Sequence, residues 1–158
     1  MARICYILRG LSGTGKSTLA ETLKSSVTNI GTVGYRRKHN IKAEIFSTDD
    51  LFMVWTDEGQ EYQFDPSKLG EYHAKNLENA TQFMVEQKDS DISVCIIDNT
   101  NTQHWEYEKY VEAAKENGFM VQIISVDWKR EDIPLYAERN SHGVPEEAIR
   151  RMADRWEY

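Results

Sequence analysis

The chain has 158 residues, 26 acidic against 19 basic, for a formal net charge of -7, with 40% hydrophobic and 28% charged positions. That composition is of a globular chain long enough for a three-layer core and excludes an obligate nucleic-acid coat, so any polyanion must meet a local basic patch. No apolar run approaches the length that crosses a bilayer, so no membrane role and a cytoplasmic location are expected.

Ile4-Cys5-Tyr6-Ile7-Leu8 reads as a buried strand and leads into Gly10-Leu11-Ser12-Gly13-Thr14-Gly15-Lys16-Ser17. Leu19, Ala20, Leu23 and Val27 follow at helical spacing. Strand, glycine-rich turn and helix in this order make a P-loop, in which glycines let consecutive backbone N–H groups turn toward phosphate oxygens and the helix adds its positive dipole end. Gly10 to Thr18 are therefore the expected nucleotide-binding residues, with ATP and Mg²⁺ as cofactors. Lys16 is expected along the β- and γ-phosphates, Ser17 on the metal, and Thr18 at the α-phosphate or capping the turn.

Residues 28–42 show no sustained period and read as a loop or small excursion. Tyr35, Arg36, Arg37, Lys38 and Lys42 place an aromatic beside four cations, either solvated loop charge or a contact for a nucleic-acid backbone. Ala43-Glu44-Ile45-Phe46-Ser47 is the second strand, and Thr48-Asp49-Asp50 follows it. Residues just past a strand's carboxyl end line the crevice of a parallel sheet. Asp49 is there a candidate general base for an acceptor hydroxyl, and Asp50 a cap for a short helix at Leu51–Trp55 or an acceptor contact.

From Ala43 to Asp65 the chain has seven acidic residues, no Lys or Arg, and the aromatics Phe52, Trp55, Tyr62 and Phe64. Such a segment either packs its rings inward or closes over an acceptor by stacking, while repelling a run of phosphates. Pro66 and Ser67 open the next helix, with Leu69, Tyr72, Leu77, Ala80 and Met84 inward. His73 and Asn76 interrupt that apolar face, either satisfying buried partners or facing substrate.

Ile92–Ile97 is the third strand and ends in Asp98-Asn99-Thr100-Asn101, where Asp98 fits a place near Mg²⁺ or the acceptor. Asn99, Thr100 and Asn101 are candidate substrate contacts with Asp50 and His73. Asp89-Ser90-Asp91 has the look of a phosphatase nucleophile pair but precedes its strand, which rules that role out. A helix carrying Tyr107, Tyr110, Val111 and Ala114 stops at Asn117-Gly118. Phe119–Val126 is the fourth strand. Residues 129–145 then read as a helical lid, with Arg139 to neutralise the transferring phosphoryl group. The last helix starts at Pro145. Cys5 and Cys95 stand apart in apolar strands, without metal-ligand spacing, and belong in the core.

The Arg9–Ser17 loop, Ser47-Thr48-Asp49-Asp50, Tyr62-Gln63-Phe64-Asp65-Pro66, Ile97–Asn101 and Arg139–Pro145 occur in an order that resembles the P-loop family of predicted kinases related to phage-type polynucleotide 5′-kinases. The chain is most similar there to the kinase domain of ubiquitin-ligase-binding proteins, the NEDD4-binding protein 2-like group. The likeness runs from Ile4 to Trp156, apart from residues 28–42. It implies transfer of the γ-phosphate of ATP to a 5′-hydroxyl end of DNA or RNA, with Asp49 as base, Asp98 on the acceptor side and Arg139 in the lid. The chain departs from that pattern at Leu51-Phe52-Met53, where those enzymes hold an acceptor 3′-phosphate with an arginine. His142 stands near their second lid arginine.

The expected architecture is α/β, a P-loop NTPase three-layer sandwich in one domain, residues 1–158. Its four parallel strands run in the order 43–48, 92–98, 3–9, 120–127, with a C-terminal helical lid. A small-molecule kinase and an NTP-dependent switch module are the competing readings. The sequence assigns no oligomeric state and carries no Asn-Lys-x-Asp guanine-selecting motif.

Overall fold

A computed structural model describes residues 2–30 and 40–158. Four strands, β1 (Ala2–Arg9), β2 (Ile41–Phe46), β5 (Ile92–Asp98) and β6 (Met120–Ser125), form a parallel sheet in the order β2-β5-β1-β6. This is the expected order. Successive side chains along each strand point to opposite faces, so the sheet presents two apolar sides to be covered.

Cys5, Ile7, Cys95 and Ile97 face one side and pack against Ala80, Phe83 and Met84 of α2 (Leu69–Glu86) and Tyr107, Tyr110, Ala113 and Ala114 of α3 (Trp105–Glu116). Leu8, Val94 and Ile96 face the other, covered by Leu19, Ala20, Leu23 and Val27 of α1 (Lys16–Ile30). Both cysteines are fully buried in the first of these clusters, as their apolar neighbours require.

A third apolar cluster lies beneath the P-loop. Leu11, fully buried, packs with Ile133 and Tyr136 of α4 (Ile133–Arg139) and Ile149 and Ala153 of α5 (Glu146–Asp154). The helices after the fourth strand are thereby seated against the loop that precedes α1.

Three local expectations are corrected. The excursion at 28–42 is shorter than expected: Thr28 to Ile30 continue α1, and Ile41 and Lys42 open β2. Tyr35, Arg36, Arg37 and Lys38 lie outside the described residues. Leu51–Trp55 is not a helix. A 3-10 turn, Thr48–Phe52, leads into an antiparallel hairpin of β3 (Met53–Thr56) and β4 (Gly59–Tyr62). The aromatic and β-branched residues Val54, Trp55 and Thr56 suit a strand, and Gly59 takes the φ of +119° that the reversal demands. Ser47, not an aspartate, stands at the N-cap of the turn, so neither Asp49 nor Asp50 caps it. Lastly, Pro66–Lys68 is a 3-10 turn ahead of α2, capped by Asp65, whose carboxylate accepts from the N–H of Ser67 at 2.9 Å.

Candidate active site

Three strands of the sheet, β1, β2 and β5, each deliver one part of the site at or just past their carboxyl ends. β1 ends at Arg9, and the N–H of Gly10 donates to the Thr100 carbonyl at 3.0 Å, fixing where the P-loop begins. The loop closes on itself as Thr14 Oγ1 donates to the Leu11 carbonyl at 2.8 Å. Gly13 and Gly15 hold φ of +83° and +92°, in the left-handed region that a Cβ disfavours. At Gly13 there is a second reason: a Cβ would stand 2.2 Å from the Tyr136 carbonyl oxygen.

A cleft of about 520 Å³ opens over this loop, lined by Ser12, Gly13, Thr14, Gly15, Lys16, Ser17 and Thr18, and walled by Asp49, Asp98 and Arg139 with the turn Asn140–His142. Lys16, Ser17, Asp49, Asp98 and Arg139 thus meet at one place from four separate parts of the chain. Gly10 and Leu11 do not line it; one holds the loop to residue 100 and the other anchors it to the core below.

Lys16 Nζ lies 3.7 Å from Asp98 Oδ1, with both side chains about nine-tenths buried. That separation is an ion pair but too long for a hydrogen bond. Asp98 Oδ1 is in fact buried with no hydrogen-bond partner. An orphaned carboxylate oxygen beside a phosphate loop fits a hard cation. Among the described residues no three His, Cys, Asp or Glu side chains form a metal cluster. Mg²⁺ does not need one, because it binds through one or two protein oxygens, waters and the nucleotide's own phosphates. Ser17 and Asp98 fit that role.

Asp49 reaches the cleft from the 3-10 turn. Tyr62 at the end of β4 donates its hydroxyl to Asp49 Oδ1 at 3.2 Å, and His142 Nδ1 stands 3.4 Å from Oδ2. Burial and the Asp49 carboxylate push the Tyr62 phenol well above its usual range, so Tyr62 stays a donor. Asp50, next along, is raised too, first by desolvation and then by the Asp98 and Asp49 carboxylates, with His142 opposing.

The other expected acceptor contacts lie behind this front. His73 Nδ1 is 3.1 Å from Thr48 Oγ1, and Asn99 Oδ1 accepts the N–H of Thr48 at 3.0 Å. Both therefore grip the residue before Asp49. Desolvation lowers the His73 pKa below the ordinary value. The Thr100 carbonyl receives Gly10, as above. Asn101, at φ +45°, is buried and donates from Nδ2 to the Leu8 carbonyl at 2.8 Å. None of His73, Asn99, Thr100 and Asn101 lines the cleft.

Arg139 at the end of α4 donates from Nε to the Gly13 carbonyl and lies 5.3 Å from the Tyr136 ring centroid. Sequence reasoning gave no site role to Asn140, Ser141 and His142, which line the cleft, or to Tyr62, which reaches Asp49 from the hairpin. His142 drew notice as a departure from a pattern, and Tyr62 could not be placed without the hairpin.

The family model AAA_33, an AAA domain, matches residues 6–158. Over 98% of its length the chain is 39% identical to human NEDD4-binding protein 2, of which it spans 8%. Human YLP motif-containing protein 1 is 26% identical over 98% of the chain, which spans 7% of it. Among solved structures, Chaetomium thermophilum Kti12 in complex with ADP-AlF3 matches with a TM-score of 0.64 at 16% identity, over 98% of this chain and 80% of that one. Mycobacterium tuberculosis APS kinase CysC, in complex with AMPPNP and APS, gives 0.57 at 14% identity over 87% and 70%. A gluconokinase from Sinorhizobium meliloti gives 0.57 at 14% over 99% and 76%. At such identities these likenesses establish the P-loop kinase fold.

Proposed function

The chain belongs to the AAA domain family and has the fold of P-loop kinases, and from that premise we propose that it is an ATP-dependent polynucleotide 5′-kinase, moving the γ-phosphate of ATP to a 5′-hydroxyl of DNA or RNA. One observation carries the reading: a carboxylate, Asp49, lines the same cleft as the phosphate loop, from beyond the end of β2, with β5 between that strand and β1. A cleft serving nucleotide binding alone has no need of a proton acceptor there.

The backbone N–H groups of Ser12 to Thr18 and the start of α1 hold the phosphates. Lys16 exchanges the Asp98 carboxylate for the β- and γ-phosphate oxygens. Arg139, poised at the cleft mouth on the Gly13 carbonyl, turns its forked donors to the transferring group. Asp49 accepts the proton of the acceptor hydroxyl as that oxygen forms its bond to the γ-phosphorus, the bridging P–O bond of ATP breaks, and ADP leaves. Mg²⁺, held by Ser17 and Asp98, would neutralise phosphate charge.

The resemblance to phage-type polynucleotide kinases supplies the acceptor class. A small-molecule acceptor is the second reading, favoured by the acidic β3–β4 hairpin, whose Asp57, Glu58 and Glu61 are exposed and whose Tyr62 touches Asp49. Labelled ATP offered with 5′-hydroxyl DNA and RNA, with and without a 3′-phosphate, and with a panel of nucleosides separates the two. Label in oligonucleotides supports the first reading; label confined to nucleosides replaces it with the second. ATP bound but transferred to no hydroxyl would leave a switch module.

A further inference from the structure

Both oxygens of the Asp49 carboxylate are engaged by side chains from distant parts of the chain. Tyr62 comes from the hairpin and His142 from the turn after α4, and their own rings meet with centroids 4.3 Å apart. The turn that presents His142 is itself built. Asn140 Oδ1 accepts from the N–H groups of His142 at 3.3 Å and Val144 at 2.8 Å, while its Nδ2 donates to the carbonyls of Ala137 at 2.8 Å and Val144 at 2.9 Å. Gly143 completes it at φ +65°.

We infer that Tyr62 and His142 are positioning residues that orient the Asp49 carboxylate, and that His142 makes this orientation depend on the 139–145 segment lying over the cleft. The inference rests on the phosphotransfer reading above and extends it to two residues for which the resemblance implies no catalytic or positioning role. The physical need is plain. The Asp49 side chain is 48% exposed on a short 3-10 turn, so its carboxylate would otherwise rotate. An ionised carboxylate accepts about four hydrogen bonds, so a tyrosine donor on one oxygen and an imidazole nitrogen against the other restrict its plane and leave lone pairs for an acceptor hydroxyl. Misplacing a reacting group by about 1 Å costs up to ~100-fold in rate.

An isolated surface ion pair between His142 and Asp49 would contribute little. Three features set this contact apart from one: the tyrosine donor on the second oxygen, the ring contact that locks imidazole to phenol, and the asparagine-built turn. His142 thus takes up, by a different route, a place where phage-type kinases put a second lid arginine. It touches the base, whereas the proposed charge-neutralising part falls to Arg139.

The test compares wild type, Tyr62→Phe, His142→Ala and His142→Gln for transfer from ATP to a 5′-hydroxyl oligonucleotide and to adenosine, with nucleotide affinity measured in parallel. Turnover is expected to fall about tenfold or more in Tyr62→Phe and His142→Ala. Nucleotide affinity should stay within about twofold, the mark of an interaction that matters after binding. His142→Gln should regain most of the loss, since its amide N–H can stand against the carboxylate where the imidazole nitrogen does. Introduced on an Asp49→Asn background, neither substitution should lower turnover further. Unchanged turnover in both single variants would overturn the inference. So would a loss that appears wholly in nucleotide affinity, which marks a packing role. A wild-type chain that transfers to neither acceptor overturns the kinase reading itself; one that transfers while the variants match it overturns the positioning alone.

Discussion

Lys16 and Asp98 face one another across 3.7 Å at the mouth of the P-loop, each side chain about nine-tenths buried, with the nearer carboxylate oxygen lacking any hydrogen bond. The pair is a holding arrangement. Two charges removed from water are costly unless paired, and here the partner of each is the other until a phosphate displaces the carboxylate. Asp98→Asn is therefore expected to destabilise the free chain, by about 3–5 kcal/mol, and to do so much less with nucleotide bound in the absence of Mg²⁺, because the phosphates then supply the counter-charge for Lys16. Thermal unfolding with and without an ATP analogue measures both. An identical loss in the two states would mean that Lys16 never leaves Asp98.

Arg139 carries a prediction about rate. It is exposed, lies against the Tyr136 ring and donates to the P-loop at Gly13, so it is already at the phosphate end of the cleft. Arg139→Ala should lower transfer about tenfold or more while leaving the acceptor KM nearly unchanged, because an arginine that neutralises the moving phosphoryl group acts after the acceptor is bound. A rise in acceptor KM at constant kcat would place Arg139 on the acceptor instead.

Gly13 joins the loop to α4 at a contact that no side chain can enter. An alanine there meets the Tyr136 carbonyl at 2.2 Å and must hold φ near +83°. Gly13→Ala should therefore cost roughly 1–3 kcal/mol, the range for a residue held in a disfavoured backbone region. It should also weaken nucleotide binding by pushing α4 off the loop. Gly15, where a Cβ has open space, gives the contrast: Gly15→Ala carries the backbone strain without the collision. Equal unfolding temperatures for the two variants would show that the Tyr136 contact contributes nothing.

Much of this arrangement was legible in the chain because the chemistry follows the strands. A buried β run, a glycine turn and an amphipathic helix fix β1 and the P-loop, and the two further strands that end in aspartates have their carboxyl ends at the same edge of a parallel sheet. Asp49 and Asp98 therefore fall beside Lys16, although 33 and 82 residues separate them from it along the chain. The hairpin was not legible. Its two strands are four residues each, in an acidic segment where four aromatics obscure any alternation, and Leu51–Trp55 offers helix and strand equal claim by local preference. Missing it concealed Tyr62. Asn101 was misplaced for a different reason: it follows a strand end as Asp49 does, but its left-handed backbone turns the amide inward onto Leu8.

His73 predicts how stability should vary with pH. Desolvation lowers its pKa in the folded chain, although Glu106 and Asp49 pull the other way, so the unfolded chain binds the proton more readily. Stability contributed by neutral His73 is present above the unfolded value of about 6.5 and is lost as pH falls through that value toward the lower folded one. His73→Asn, which retains a hydrogen-bonding group for Thr48, should flatten this part of the profile. Chemical denaturation of both chains between about pH 7.5 and 5 checks it; parallel profiles would assign the dependence to other groups.

Arg9 ties the far end of the chain to the start of the P-loop. It is 4% exposed, yet among the described residues it forms no ion pair with a carboxylate. Its Nε donates to the Asn101 carbonyl at 2.8 Å and its Nη2 to the carbonyls of Thr102, at 3.1 Å, and Glu157. The guanidinium lies 4.5 Å from the Trp156 ring centroid and 5.2 Å from that of Tyr107. A planar, delocalised cation with forked donors can serve three carbonyls and two ring faces together, and its weak hydration makes the burial tolerable. A lysine cannot do this: its ammonium is compact, strongly hydrated and reaches one point. Arg9→Lys should thus cost on the order of 3 kcal/mol, the scale of a buried charge that loses hydrogen-bond partners. The loss should appear first at residues 155–157, whose attachment runs through Glu157 and Trp156. Hydrogen exchange would show this as faster exchange at Trp156 and Glu157, whose N–H groups donate to the carbonyls of Ala153 and Thr102. Because Asn101 and Thr102 follow Thr100, which receives the Gly10 N–H, loosening should spread to the P-loop and weaken nucleotide binding. Fast exchange confined to the tail, with nucleotide affinity intact, would make Arg9 a clasp for the terminus only.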